Sequence, residues 1–129
     1  IRMYIECLPD GAEGWLSGMR DPLVSKVLHL LHADPARDWT LVSLAKQTAS
    51  SRSVLAERFT RLVKQPPMQY LARWRMQLAA NALEVPSASI SSIAADVGYQ
   101  SEAAFNRAFK KVVGQPPGAW RRNRQDAAA

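Results

Sequence analysis

Ile90 to Pro117, ISSIAADVGYQSEAAFNRAFKKVVGQPP, decides the architecture, because an earlier version of it stands at Thr40 to Pro67, TLVSLAKQTASSRSVLAERFTRLVKQPP. Leu44-Ala45 lies over Ile93-Ala94 at an offset of 49. Ser51, Phe59, Val63 and Gln65-Pro66-Pro67 lie over Ser101, Phe109, Val113 and Gln115-Pro116-Pro117 at an offset of 50, so the later copy carries one extra turn residue near Tyr99. A cap residue, an aromatic anchor and an exit shared in the same order mark two copies of one supersecondary unit. Two copies at this period do not make a solenoid.

Within the later copy, Ser89 can accept a hydrogen bond from the first unpaired N–H groups of a helix whose apolar residues Ile90, Ile93, Ala94 and Val97 recur at three to four. Gly98 follows the last of them and can turn the chain through the left-handed region before Ser101 caps a second helix. On that helix Phe105, Phe109 and Val112 fall in one narrow arc. Ala103, Arg107 and Lys110 face the other way, flanked by Asn106 and Lys111. The earlier copy places Leu55, Phe59 and Leu62 inward and Ser53, Glu57 and Thr60 outward, flanked by Ala56 and Arg61. A short capped helix with an apolar back and a polar, cationic front fits the recognition element of a helix-turn-helix. Ala49 stands where the later copy has Gly98, and Lys64 where it has Gly114, so the first turn is expected to be strained or altered by ~1 kcal/mol.

Charge follows the repeats. Residues 1–39 hold four basic and six acidic side chains, whereas residues 40–125 hold thirteen basic and four acidic, within a formal net charge of +6 over 129 residues. Cations gathered on one region favour a polyanionic partner, because each Lys or Arg laid on a phosphate releases condensed counterions. With 47% hydrophobic residues the chain can bury one modest core or two small ones. No apolar run approaches the ~20 residues of a membrane span, so no membrane partner is expected. The single cysteine, Cys7, excludes an internal disulfide framework and fits a reducing interior.

Around the repeats, Asp21-Pro22 starts a helix with Leu23, Val27, Leu30 and Leu31 as its stripe, closed by Asp34-Pro35. His29 and His32 stand at i and i+3, but no third ligand is placed, and no metal or cofactor is expected. Pro67 opens a long helix over 67–84 with Leu71, Trp74, Leu78 and Ala82 as its stripe. Its ~27 Å is comparable with the ~34 Å between successive major-groove entries on one side of a duplex, which makes it a spacer. Trp39, Trp74 and Trp120 sit on or beside apolar stripes and read as core anchors rather than base-stacking groups. Residues 1–20, beginning at Ile1, read as the tail of an upstream domain, and 124–129 as a disordered end. The fold expected is all-α, with about seven helices, two helix-turn-helix subdomains over 40–62 and 89–113, and the long helix joining them.

The segments DWTLVSLA, ERFTRLVKQPPMQYLARWRMQLAANAL and ISSIAADVGYQSEAAFNRAFKKVVGQPPGAWRR resemble the C-terminal DNA-binding domain of the AraC-type transcriptional regulators, over about residues 21–123. The resemblance implies seven helices, both recognition helices in neighbouring major grooves, and a cupin-like effector domain upstream through which a small molecule acts. It also implies RNA polymerase as a further partner and a bacterial cytoplasmic location. Carried over residue by residue, the base-reading positions fall on Arg52, Ser53, Ala56 and Glu57, and on Glu102, Ala103, Asn106 and Arg107. Ala49 and Lys64 depart from the usual glycines of the first motif.

Base-edge chemistry assigns the parts. Arg107 can donate twice to guanine O6 and N7, Asn106 can pair with adenine, Glu57 can accept from cytosine N4, and Ala56 or Ala103 can meet a thymine methyl. A pairing of Glu57 with Arg61 at i+4 accounts for that acid equally well. Thr60, Arg61, Ser101, Lys110, Lys111 and the helix-start N–H groups are expected on phosphates. The rival is a basic helical module that binds an acidic protein. An enzyme is not expected, since Glu57, Glu84, Asp96 and Glu102 are scattered and no Ser or Cys has a His within a recognisable motif.

Overall fold

In a computed structural model of the chain, residues 20–128 are described, and they form seven helices with no strand among them. These are α1 (Pro22–Ala33), α2 (Leu41–Gln47), α3 (Arg52–Val63), α4 (Pro67–Leu83), α5 (Ile90–Asp96), α6 (Glu102–Val113) and α7 (Pro117–Ala128). The expected upstream tail lies outside the described residues except for Arg20. The end of the chain differs from expectation: α7 is helical to Ala128, where disorder from 124 was anticipated. Its last residues include Ala127 and Ala128, and alanine favours the helix more than any other residue. Arg124 donates to Glu84 at 2.9 Å, tying α7 back to the end of α4.

Five of the seven helices begin where a side chain satisfies their orphan donors, and α4 begins at Pro67 without a side-chain cap. Asp21 accepts from the N–H groups of Leu23 and Val24, and Thr40 and Ser43 cap α2 reciprocally. Ser51, Ser89 and Ser101 each accept from the N–H three residues on. The two turns share one geometry. Ser50 N–H donates to Ala45 O in the first and Tyr99 N–H to Ala94 O in the second. Ala49 reaches φ 54 and Gly98 φ 97, so the alanine is strained into the left-handed region and the turn itself is unaltered. Lys64, at φ 73, likewise does the work of Gly114 at φ 98.

Two cores result. The first gathers Val24, Val27, Leu28, Leu31, Trp39, Leu44, Leu55, Phe59 and Val63 with Tyr70 and Leu71 of α4. The second gathers Met76, Ala79, Ala80 and Leu83 of α4 with Ile93, Ala94, Val97, Phe105, Phe109 and Trp120. This division corrects the stripe expected on α4. Tyr70 and Leu71 serve one core and Met76 to Leu83 the other, while Trp74, Leu78 and Ala82 are only half-buried. One helix serving two units must turn different sides to each, so a single periodic stripe misplaces its contacts. On α1 the buried line is Val24, Val27, Leu28 and Leu31, rotated from the expected one, with Leu23 and Leu30 half-buried.

The helices of each unit pack on one another and on α4. No pair from opposite units packs extensively. The shared strut is therefore the frame on which both units are mounted.

Candidate nucleic-acid interface

Both second helices of the repeats, α3 and α6, are 12 residues long, capped by serine at the start and ended by a left-handed residue. Leu55, Phe59 and Val63 bury the back of α3, and Phe105 and Phe109 that of α6. Burial of the backs dictates what the fronts present. Arg52, Ser53, Glu57, Thr60 and Arg61 are exposed on α3, and Glu102, Ala103, Arg107, Lys110 and Lys111 on α6. Ala56 and Asn106 are half-buried at the flanks, and Ser101 is exposed at the cap of α6. The fold thus brings each unit's candidate residues onto a single helix front.

Electrostatics separate the two fronts. Among the described residues no acid is within ion-pair distance of Arg107, Lys110 or Lys111, so no described carboxylate neutralises their charge. On α3, Arg61 pairs with Glu57 at 3.7 Å between two well-exposed side chains. Such a pair contributes only ~0.3–0.5 kcal/mol, so either partner is available to a stronger one. Ser101 Oγ accepts from Ala104 N–H at 3.1 Å, and its hydroxyl proton can still be donated to a phosphate oxygen.

At two equivalent positions the two fronts carry opposite charges. Arg52 on α3 corresponds to Glu102 on α6, and Glu57 to Arg107, while Ser53 and Ala56 correspond to Ala103 and Asn106. Glu102 lies in the first turn of α6, where the helix dipole favours a carboxylate. Periodicity passed over Val54, 47% exposed in the first turn of α3, whose methyl groups add apolar surface to that front. Its only signal was the side of the helix it shares with Glu57 and Arg61.

Several residues are fully occupied in structure. Trp39 and Trp120 are buried in the two cores, as core anchors should be. His32 shares a hydrogen bond of 2.7 Å with Tyr70 Oη and packs on Trp74, their ring centroids 4.6 Å apart. Burial, followed by the nearby His29, pushes the His32 pKa below its ordinary value. No cluster of metal-ligating side chains occurs among the described residues.

Two capped helices, each the second of a helix-turn-helix and each presenting a polar front from its own core, define a double helix-turn-helix domain of the kind that engages nucleic acid. The family described as Helix-turn-helix domain matches residues 44–123. The chain belongs to the AraC-type helix-turn-helix family. It is 49% identical over 123 residues to a putative AraC-like transcription regulator of Streptomyces lividans, covering 95% of this chain and 40% of that protein. With the regulator AlkR of Acinetobacter baylyi the identity is 38% over 125 residues, covering 92% and 41%. This chain therefore spans about two fifths of the length of these curated relatives. Among solved structures, the DNA-binding domain of AdpA in complex with a target DNA superposes with a TM-score of 0.77 at 26% identity, over 83% of this chain and 96% of that one. The C-terminal domain of AraT, a response regulator from Geobacillus stearothermophilus, gives 0.75 at 29%, over 80% and 86%.

Proposed function

We propose that this chain binds double-stranded DNA sequence-specifically, with α3 and α6 in adjacent major grooves, and serves a regulator of transcription. The observation that carries the reading is the pair of exposed fronts on α3 and α6, built from separate cores on opposite halves of α4. At 17 residues α4 is ~25 Å long, which suits successive groove entries. The AdpA domain, solved on its target DNA, supports the same use of the same fold.

In this reading Arg107 donates a bidentate pair to guanine, Asn106 pairs with adenine, and Ala103 meets a thymine methyl, while Glu102 accepts from cytosine N4. On α3, Arg52, Ser53, Ala56 and Glu57 read the other box. Thr60, Arg61, Ser101, Lys110 and Lys111 hold phosphates and fix register. Because Arg52 and Glu57 exchange sign with Glu102 and Arg107, the two boxes differ in sequence. RNA polymerase and, through a further domain, a small-molecule effector complete the proposed partners, in the bacterial cytoplasm.

Titration against random-sequence duplex at two salt concentrations tests the DNA reading. A steep fall of log K with log salt supports it. No binding at low salt overturns it in favour of an acidic protein partner. Selection of bound duplexes from a random pool then yields both boxes and their spacing.

A further inference from the structure

Among the described residues, the two units approach each other beside Arg75 of α4. Arg75 projects from the middle of α4, donating from Nε to Pro35 O at 2.7 Å and from a terminal nitrogen to Arg37 O at 2.9 Å. Those carbonyls belong to the loop that leads into Trp39 of the first core, whose indole N–H donates to Asp34 O at 2.9 Å. The same guanidinium stands 5.7 Å from the ring centroid of Tyr99. Tyr99 belongs to the second unit and packs on Phe105 of α6, centroids 5.8 Å apart. Beside it, the backbones of the two units touch, since a Cβ built on Gly98 meets Ala36 O at 2.8 Å.

An unbroken line of contacts thus runs from Trp39 through the 34–38 loop, Arg75 and Tyr99 to the recognition helix α6. The extra turn residue of the later copy falls here, beside Tyr99, at the point where the second unit faces the first. A strut sets how far apart its two loads sit along its axis; their tilt needs a second anchor. We propose that Arg75 is a positioning residue that fixes the setting of one helix-turn-helix against the other, and so determines which spacing of the two boxes the chain accepts. This rests on the DNA-binding reading above. One inserted base pair moves the far box by ~3.4 Å and rotates it by ~35°, so a rigid junction rejects it and a loosened one tolerates it.

The test uses the selected site, its two boxes singly, and versions with one or two base pairs inserted or removed between them. Affinities are measured for the wild type, Arg75→Lys and Arg75→Ala. Lys keeps the charge but cannot form the fork to two carbonyls and the ring together. Expected are single-box affinities within about twofold of wild type, weakening of about tenfold on the native spacing as effective concentration drops, and a flattened dependence on spacing. An unchanged spacing profile overturns the proposal, as does an equal loss on single boxes. Because each unit has its own core, failure of Arg75→Lys to fold also overturns it, by making Arg75 a support of the fold alone. If the wild type binds no duplex, the DNA reading itself falls, which is a distinct result.

Discussion

Removing the guanidinium of Arg107 is expected to cost ~1–3 kcal/mol on the selected site and to relax the preference at one base pair, because the guanine edge loses both donors. Lys110→Ala should instead weaken all duplexes alike and lower the salt slope by about one. Competition binding on cognate and scrambled duplexes checks both, and equal losses for Arg107→Ala would return it to the phosphate contacts. His32 gives a pH dependence. Its pKa is lowered in the folded chain, so below the ordinary value of 6.5 the unfolded chain takes up protons that the folded chain resists. Stability is therefore complete above that pH and declines as pH falls through it. Thermal unfolding between pH 7.5 and 5 should show the decline in the wild type and a flatter curve in His32→Gln; matching curves would assign the proton uptake elsewhere.

Among the elements, the two turn glycines make a controlled comparison. Gly98 and Gly114 have nearly the same φ, 97 and 98, yet a Cβ on Gly114 meets nothing within 4 Å and one on Gly98 meets backbone at 2.8 Å. Gly114→Ala should cost ~1–2 kcal/mol, the conformational term alone. Gly98→Ala should cost distinctly more in chemical denaturation, and equal costs would mean the 34–38 loop yields freely. Most of the helices were legible in advance, because Ser51, Ser89, Ser101, Pro22 and Pro67 are local signals that need no knowledge of the rest of the chain. The fronts of α3 and α6 were legible for a related reason: Phe59, Phe105 and Phe109 orient each helix unambiguously. What could not be read was tertiary. The faces of α4 depend on which half serves which core, and Arg75 and Tyr99, 24 residues apart in sequence, carry no pattern that announces their contact. Val54 was passed over because an exposed valine breaks the rule by which apolar faces are assigned.

At the scale of the molecule, two cores on one strut imply two units of stability. Phe59 is fully buried in the first core and makes an edge contact with Tyr70, centroids 5.7 Å apart. Phe59→Ala should cost ~3–5 kcal/mol. Hydrogen exchange should then rise first in α1, α2 and α3, while the amides of α5 and α6 hold their protection. A uniform rise would show a single cooperative body. The inverted signs at Arg52 against Glu102, and at Glu57 against Arg107, have one more consequence. Unlike ends give the domain a head and a tail, so on the proposed two-box site a bound molecule would take one heading along the duplex. Reversing the operator would turn the protein about and present its opposite flank to whatever machinery waits downstream.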